Sequence, residues 1–541
     1  MKKYLTPNSI IYAFLLTAVF FLSIFRITDN DTWWHLKTGE YIVKHFSIPS
    51  IDIFSYTIYG KPWLAFEWFS QVLLYCVYFI GGLTGLTLFK AAAVVLIFAL
   101  ALRSARSKDI ILTATIAALS FLVLRDGLRE RPQLFTYFFA AAYTYIFRAK
   151  TKPLFLIPLL QVFWANMHGP ASLIGVGLTA LYVVFDDALN AERKAYLFFG
   201  TAAAFFITPH GLGNIHYLLG FFKNGFNQLI LEYRPPVFTL NFITYYVFLL
   251  LAVAICARLI AQFFVSGGKE TGYLRDALII VFGATASLLA IRNIPIFVII
   301  TFPLIVDATA GILRRFRPVE PSGQDKLSRS FLAGAVIIAV FLTAARVSDI
   351  NGKYAFGLGD AHKARYAVDF IKLKGIKGPV FNDYDFGGYL IWKLYPSNKV
   401  FIDGRLVEYG AGFVEQSFYF WKPKVWNKLE KEYGFTAAIV PQESYYTCRN
   451  LDDRKDWFLV YWDDGALVYV KDVPANKKLI KDFGYKFLRP NYSASYDYLK
   501  QFPYPQVRDE ALHAVQMAPH SMRAKALNAW LVAQEKVNSR Q

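Results

Sequence analysis

The chain has 541 residues, of which 55% are hydrophobic, 18% aromatic and only 18% charged, with a mean hydropathy of +0.34. A charged share well under the usual quarter excludes an ordinary water-soluble enzyme and a disordered chain. The formal charge of +19 then points to cytoplasmic loops of a membrane protein and away from nucleic acid; three cysteines, Cys76, Cys256 and Cys448, are too few for a disulfide framework or a cysteine zinc site.

A bilayer core needs about 20 apolar residues per helix. Eleven runs approach that length: 10–25, 83–102, 110–124, 133–147, 153–166, 170–185, 195–208, 240–262, 277–291, 294–312 and 329–346. The first follows Lys2 and Lys3 with no small-x-small cleavage site, which predicts a retained anchor. With a cytoplasmic N-terminus, Arg103, Arg106, Lys108, Arg148, Lys150, Lys152, Arg193, Lys194, Lys269, Arg275, Arg314, Arg315 and Arg317 all fall in cytoplasmic connections, as the positive-inside rule requires. That parity treats the aromatic stretch 64–80, ending in Gly81-Gly82, as an interfacial helix. The predicted fold is a polytopic α-helical membrane protein of about 11 transmembrane helices with a C-terminal exterior α/β domain, in an inner or cytoplasmic membrane.

Three regions follow. Residues 1–346 form the transmembrane domain, with an exterior loop over 26–82 carrying interfacial helices. Residues 347–505 read as a periplasmic or exterior α/β domain, with β-rich runs at 378–381, 399–402 and 437–440 and amphipathic helices near 361–374 and 423–433. Residues 506–541 form a helical cap whose alanine spacing matches one tetratricopeptide-like hairpin.

Acidic and polar groups avoid the spans and gather in the exterior loops. The first loop reads Asp29-Asn30-Asp31-Thr32-Trp33-Trp34-His35, then Pro49 and Asp52, then Lys61-Pro62-Trp63 and Glu67-Trp68. Carboxylates beside paired indoles suit chemistry at a bilayer surface, the indoles anchoring at the headgroups while the acids stay wet. The second loop, Arg125-Asp126-Gly127-Leu128-Arg129-Glu130-Arg131, crowds three arginines into a turn; guanidinium forks suit the phosphate of a lipid carrier, and equally lipid headgroups. Later loops add Asn166 and His168, Glu232-Tyr233-Arg234-Pro235-Pro236, and Arg292. Lys90, inside a run, lies near its exterior end, where it can snorkel.

In order, these motifs resemble the GT-C membrane glycosyltransferases, and among them the catalytic subunit of oligosaccharyltransferases. The points of likeness are Asp31-Thr32-Trp33-Trp34-His35 with Pro49 and Asp52, the Glu232…Pro235 element, Arg292 with Pro303, and Asn382-Asp383-Tyr384-Asp385-Phe386-Gly387-Gly388 followed by Asp403-Gly404. The two tryptophans of the family's exterior signature are absent, Asn382 and Asp383 standing there. The Lys61-Pro62-Trp63 and Glu67-Trp68 segment is similar instead to protein mannosyltransferases and lipid A aminoarabinose transferases.

The resemblance implies a membrane glycosyltransferase that moves a sugar from a polyprenyl-phosphate or polyprenyl-diphosphate donor to an exterior glycan, lipid or protein by an inverting displacement. Asp31 and Glu232 are the catalytic candidates; Arg125, Arg129, Arg131 and Arg292 would bind donor phosphate; Asp383, Tyr384 and Asp385 would meet the acceptor. Asp31, Asp126 and Glu232 would orient the acceptor or hold a divalent ion, Mg2+ or Mn2+. His35, Glu67, Glu130 and His168 would support the site. The lipid-linked donor and the bilayer are the expected partners, with no nucleic acid. A non-catalytic scaffold on the same fold, or a transporter of a lipid-linked glycan, are the competing classes.

Overall fold

The computed structural model describes residues 7–151, 153–223, 229–314, 356–359, 363–491 and 495–538. The chain divides into two compact units. One comprises Met1–Ile27, Thr38–Ile48 and Leu64–Gly359; the other comprises Thr28–Lys37, Pro49–Trp63 and Asp360–Gln541. Two pieces of the first polar loop therefore belong to the same unit as the C-terminal domain.

The helices up to residue 313 are α1 Pro7–Leu22, α2 Thr32–His45, α3 Trp68–Ser104, α4 Ile110–Leu124, α5 Gln133–Arg148, α6 Leu156–Met167, α7 Leu173–Val184, α8 Ala191–Ala204, α9 Gly213–Lys223, α10 Ile243–Val265, α11 Thr271–Leu289 and α12 Ile294–Leu313. Ten of the eleven apolar runs are thus helices, and the eleventh, 329–346, lies outside the described residues, as does the expected boundary at 347. Among the described residues five helical segments are long and apolar enough to cross a membrane: Trp68–Ser104, Ile110–Gly127, Leu240–Val265, Thr271–Leu289 and Ile291–Leu313. They mark a multi-pass membrane protein.

Within α3 the aromatic stretch and the next apolar run are two helices that meet at a kink at Gly82 (φ 57°, ψ −149°). This left-handed geometry is one that glycine alone adopts freely. Asp109 and Asn190 cap α4 and α8 by accepting from the backbone N–H of Leu112 and Arg193. Lys90 does not snorkel: its side chain is fully buried, and Nζ pairs with Glu130 at 2.7 Å and donates to the Phe25 carbonyl at 3.3 Å. The stem is long enough to reach an interface, but a buried carboxylate offers the ammonium a stronger partner than headgroup water.

The second unit is built on a four-stranded sheet in the order β1-β2-β4-β3, with β1 Val380–Asn382, β2 Ala437–Pro441, β3 Trp457–Trp462 and β4 Ala466–Lys471. β1 and β2 are parallel and the other pairs antiparallel. Every residue of β2 is buried, as befits a central strand covered on both faces. The helices are α13 Arg365–Leu373, α14 Tyr384–Leu394, α15 Leu406–Tyr409, α16 Ala411–Phe418, α17 Pro423–Tyr433, α18 Tyr445–Asp452, α19 Lys477–Phe483, α20 Tyr504–Met517 and α21 Met522–Asn538. α17 opens on a proline and closes on Gly434 in the left-handed region, the usual asymmetry of helix ends. α20 and α21 pack on each other.

The run 399–402 is not a strand of this sheet. The buried Asn382 side chain stands in for a ladder, accepting from the Phe401 N–H at 2.7 Å and donating to the Ile402 carbonyl at 2.7 Å. The other edge of the run pairs with the first-loop piece: Val400 N–H donates to the Phe54 carbonyl, and Tyr56 N–H to the Val400 carbonyl. A short β-rich run read as a strand, whereas a side-chain amide takes over the pairing on one side.

Candidate active site

Each unit carries one group of candidate residues. In the membrane unit three distant loops meet. The 125–131 turn packs on the start of α12, since a Cβ added at Gly127 would lie 2.9 Å from Pro295. The Ile291 N–H donates to the Arg234 carbonyl at 3.0 Å, joining the 231–234 segment to the Arg292 turn. Arg131 Nη1 then lies 3.5 Å from Glu232 Oε2, and the Arg292 guanidinium covers the Tyr233 ring at 4.6 Å. Two arginines and a carboxylate thus converge, with Tyr233 as a member the sequence reading passed over; its place beside Glu232 was the available signal.

The other residues of those loops have further partners. Arg129 is exposed and donates to the Asp126 carbonyl, and the Arg125 side chain sits 3.9 Å from the largely exposed Asp126 carboxylate. Glu130 turns to Lys90. His168 and Glu67, both buried, approach at 3.6 Å, while His168 Nδ1 shares a 2.7 Å hydrogen bond with Thr136, whose hydroxyl also accepts from Trp164.

In the second unit the first-loop pieces are held by the turn after residue 402. Arg405 is fully enclosed: it chelates Asp403 through Nε at 2.8 Å and Nη2 at 2.6 Å, and its Nη1 pairs with Asp52 at 2.6 Å. The Tyr409 hydroxyl donates to Asp403 as well, and the Phe54 and Trp63 rings flank the guanidinium. Burial works against charge on Asp403, but Arg405 outweighs it and holds the carboxyl below its ordinary range.

Asp31 is half-buried at the start of α2, accepting from the Trp34 indole at 3.1 Å, with its own N–H bound to Asp29 at 2.9 Å. His35 is buried and its ring lies against Trp34, at 3.7 Å between centroids. Asp383 caps α14 by accepting from the Asp385 N–H, and Asn30 donates to the Asp385 carboxylate at 3.4 Å. Burial, reinforced by the Asp385 charge, pushes Asp383 up to about 7 although its side chain keeps some solvent contact; Asp385 is shifted the same way, by burial first, with Asn30 opposing. The Tyr384 ring packs on Phe418 at 5.6 Å. Asp31, Asp383, Tyr384 and Asp385 therefore share a unit and are linked through Asn30.

Glu408 lies beside the Arg405 group, and burial in that company raises it from 4.5 to about 8. Between those two values the folded chain holds a proton that the unfolded chain has released, so stability falls as pH rises through this window. Glu408→Gln is expected to flatten that slope between about pH 4.5 and pH 8, as read from thermal unfolding at several pH values. An unchanged slope would mean that Glu408 ionises normally in the folded chain.

Among the described residues no group of three or more His, Cys, Asp or Glu side chains is placed to hold a metal ion. Glu232 faces the Arg131 guanidinium, and Asp126 has Arg125 beside it, surroundings that disfavour a dication. Asp126 and Glu232, each beside an arginine, are not grouped with a third such side chain for Mg2+ or Mn2+ among the described residues, and no step below passes through a metal.

The chain thus joins apolar helices of a multi-pass membrane protein to a mixed α/β unit that holds pieces of the first polar loop. The chain is similar to the archaeal oligosaccharyltransferase AglB from Archaeoglobus fulgidus, solved with an inhibitory peptide and a dolichol-phosphate, at a TM-score of 0.53 and 11% identity over 97% of this chain and 86% of that one. It is similar also to the apo form of the Archaeoglobus fulgidus oligosaccharyltransferase, at a TM-score of 0.52 and 13% identity over 98% and 86%. No protein-family model and no curated protein matches the sequence. At such identities the likeness establishes the fold, and the chemistry has to be argued from the residues.

Proposed function

We propose that the chain is a membrane glycosyltransferase that takes a sugar from a polyprenyl-phosphate or polyprenyl-diphosphate carrier and delivers it to an acceptor outside the cytoplasm. The observation that carries this reading is the near full-length GT-C fold, which brings Arg131, Arg292 and Glu232 together out of three separate loops. The dolichol-phosphate bound by the solved relative supports a lipid-phosphate donor for this chain too. In this reading Arg131 and Arg292 hold the departing phosphate, whose charge grows as the glycosidic bond breaks. Asp31 accepts the acceptor's proton as its oxygen or nitrogen attacks the anomeric carbon from the opposite face, inverting it. Glu232 keeps the arginines in place, and Asp383, Tyr384 and Asp385 orient the acceptor. The N-terminus lies in the cytoplasm and the second unit outside it, in the periplasm or at the exterior of an inner or cytoplasmic membrane.

The donor half is tested with a photo-reactive polyprenyl phosphate and the full-length protein in lipid nanodiscs. The probe should label the wild-type protein. Arg131→Ala with Arg292→Ala should cut labelling about tenfold or more, since a hydrogen bond to a charged group is worth about 1.5–3 kcal/mol. Undiminished labelling of a folded double variant would refute the phosphate role of these arginines.

A further inference from the structure

We propose that Gly404 is a positioning residue for the Asp31 carboxylate: the backbone of the second unit forms the wall against which that carboxylate is set. The proposal rests on the reading of Asp31 as the base. A Cβ added at Gly404 would lie 2.0 Å from Asp31 Oδ1, 2.9 Å from its Cγ and 2.9 Å from the Trp34 indole nitrogen that donates to it. The backbone of Gly404 is not in the left-handed region, so what the position requires of glycine is space alone.

The wall cannot retreat. Its neighbours Asp403 and Arg405 are locked to each other, to Tyr409 and to Asp52, all buried. The Asp31 turn is held from a second side, because a Cβ at Gly388 would fall 2.3 Å from the Asn30 carbonyl oxygen. Gly387 sits equally close to the strand-like run, 2.1 Å from the Ile402 carbonyl oxygen by the same measure. The paired glycines of α14 thus serve close approach: neither has a positive φ. Gly404 and the Trp34 indole both lie close against the Asp31 carboxylate and restrict where it can sit.

A general base must sit within a fraction of an ångström of its working position, and a misplacement of about 1 Å can cost about 10²-fold in rate. Gly404→Ala forces the carboxylate or the wall to move and disturbs the indole hydrogen bond.

The test uses the full-length protein expressed in its source cells in place of the wild type, with envelope glycoconjugates measured by mass spectrometry. Gly404→Ala, at normal abundance, should lose product about 10²-fold, as Asp31→Asn does, while labelling by the photo-reactive polyprenyl phosphate stays within twofold. Gly412→Ala is the control, since a Cβ there meets nothing within 4 Å. If Gly404→Ala lowers the melting temperature, Asp31→Ala added to it should relieve most of that loss, because the closest clash is with that side chain and the Trp34 indole nitrogen stands farther off, at 2.9 Å. Wild-type product from Gly404→Ala, or a loss of stability that Asp31→Ala does not relieve, would overturn the proposal. Product retained by Asp31→Asn would instead sink the reading of Asp31 as base, and the thermal comparison would still decide whether Gly404 seats it.

Discussion

Replacing Asp31 by asparagine should lower sugar transfer about 10²–10⁴-fold, the range that loss of a general base produces, in a protein that folds and accumulates normally. The substitution is nearly isosteric. The asparagine carbonyl can still accept from the Trp34 indole, which lies 3.1 Å from Asp31 Oδ1, so the seat survives. What disappears is the capacity to take a proton from the acceptor as it attacks. In the proposed reading Arg131 and Arg292 of the other unit hold the donor, so labelling by polyprenyl phosphate should persist while glycoconjugate product is lost. Product at wild-type levels would remove Asp31 from the chemistry and favour a scaffold that keeps the fold without the reaction.

The largest effect on stability is expected at Arg405. Its side chain is 2% exposed and stands between Asp52 and Asp403, at 1% and 0%. Arg405→Ala leaves two buried carboxylates without their cation, a defect that costs about 3–5 kcal/mol when one partner of a buried pair is removed. It also empties the space between the Phe54 and Trp63 rings, which lie 5.3 and 4.6 Å from the guanidinium. The variant should therefore melt well below the wild type. Adding Asp52→Asn and Asp403→Asn should recover part of the loss, because the repelling charges go with them. Equal melting of Arg405→Ala and the wild type would show that the network contributes nothing to holding the 49–63 segment.

The sequence by itself determined the apolar architecture. A span is a local property, the hydropathy of about 20 consecutive residues, so runs such as 110–124, 133–147 and 294–312 could be placed to within a few residues of α4, α5 and α12. The same holds for amphipathic helices such as α17, whose proline start and glycine stop are written in the chain. The order of short motifs further carried the resemblance to GT-C enzymes, and the fold is similar to that of an archaeal oligosaccharyltransferase.

Partnership was decided only by the tertiary structure. Arg125, Arg129 and Arg131 read as one cluster, yet a turn points neighbouring side chains in different directions: Arg125 lies against Asp126, whereas Arg131 reaches Glu232. Glu130 looked like a site residue and Lys90 like a snorkelling one until burial paired them. Asn382 replaced a signature tryptophan without announcing that its amide would stitch the 401–402 backbone. Gly404 passed as part of a strand end because the need for a missing side chain is invisible until something 373 residues away in the chain, the Asp31 carboxylate, is found where that side chain would be. Hydropathy is summed along the chain, whereas ion pairs, seats and close approaches depend on distances through space, and those exist only once the chain has folded.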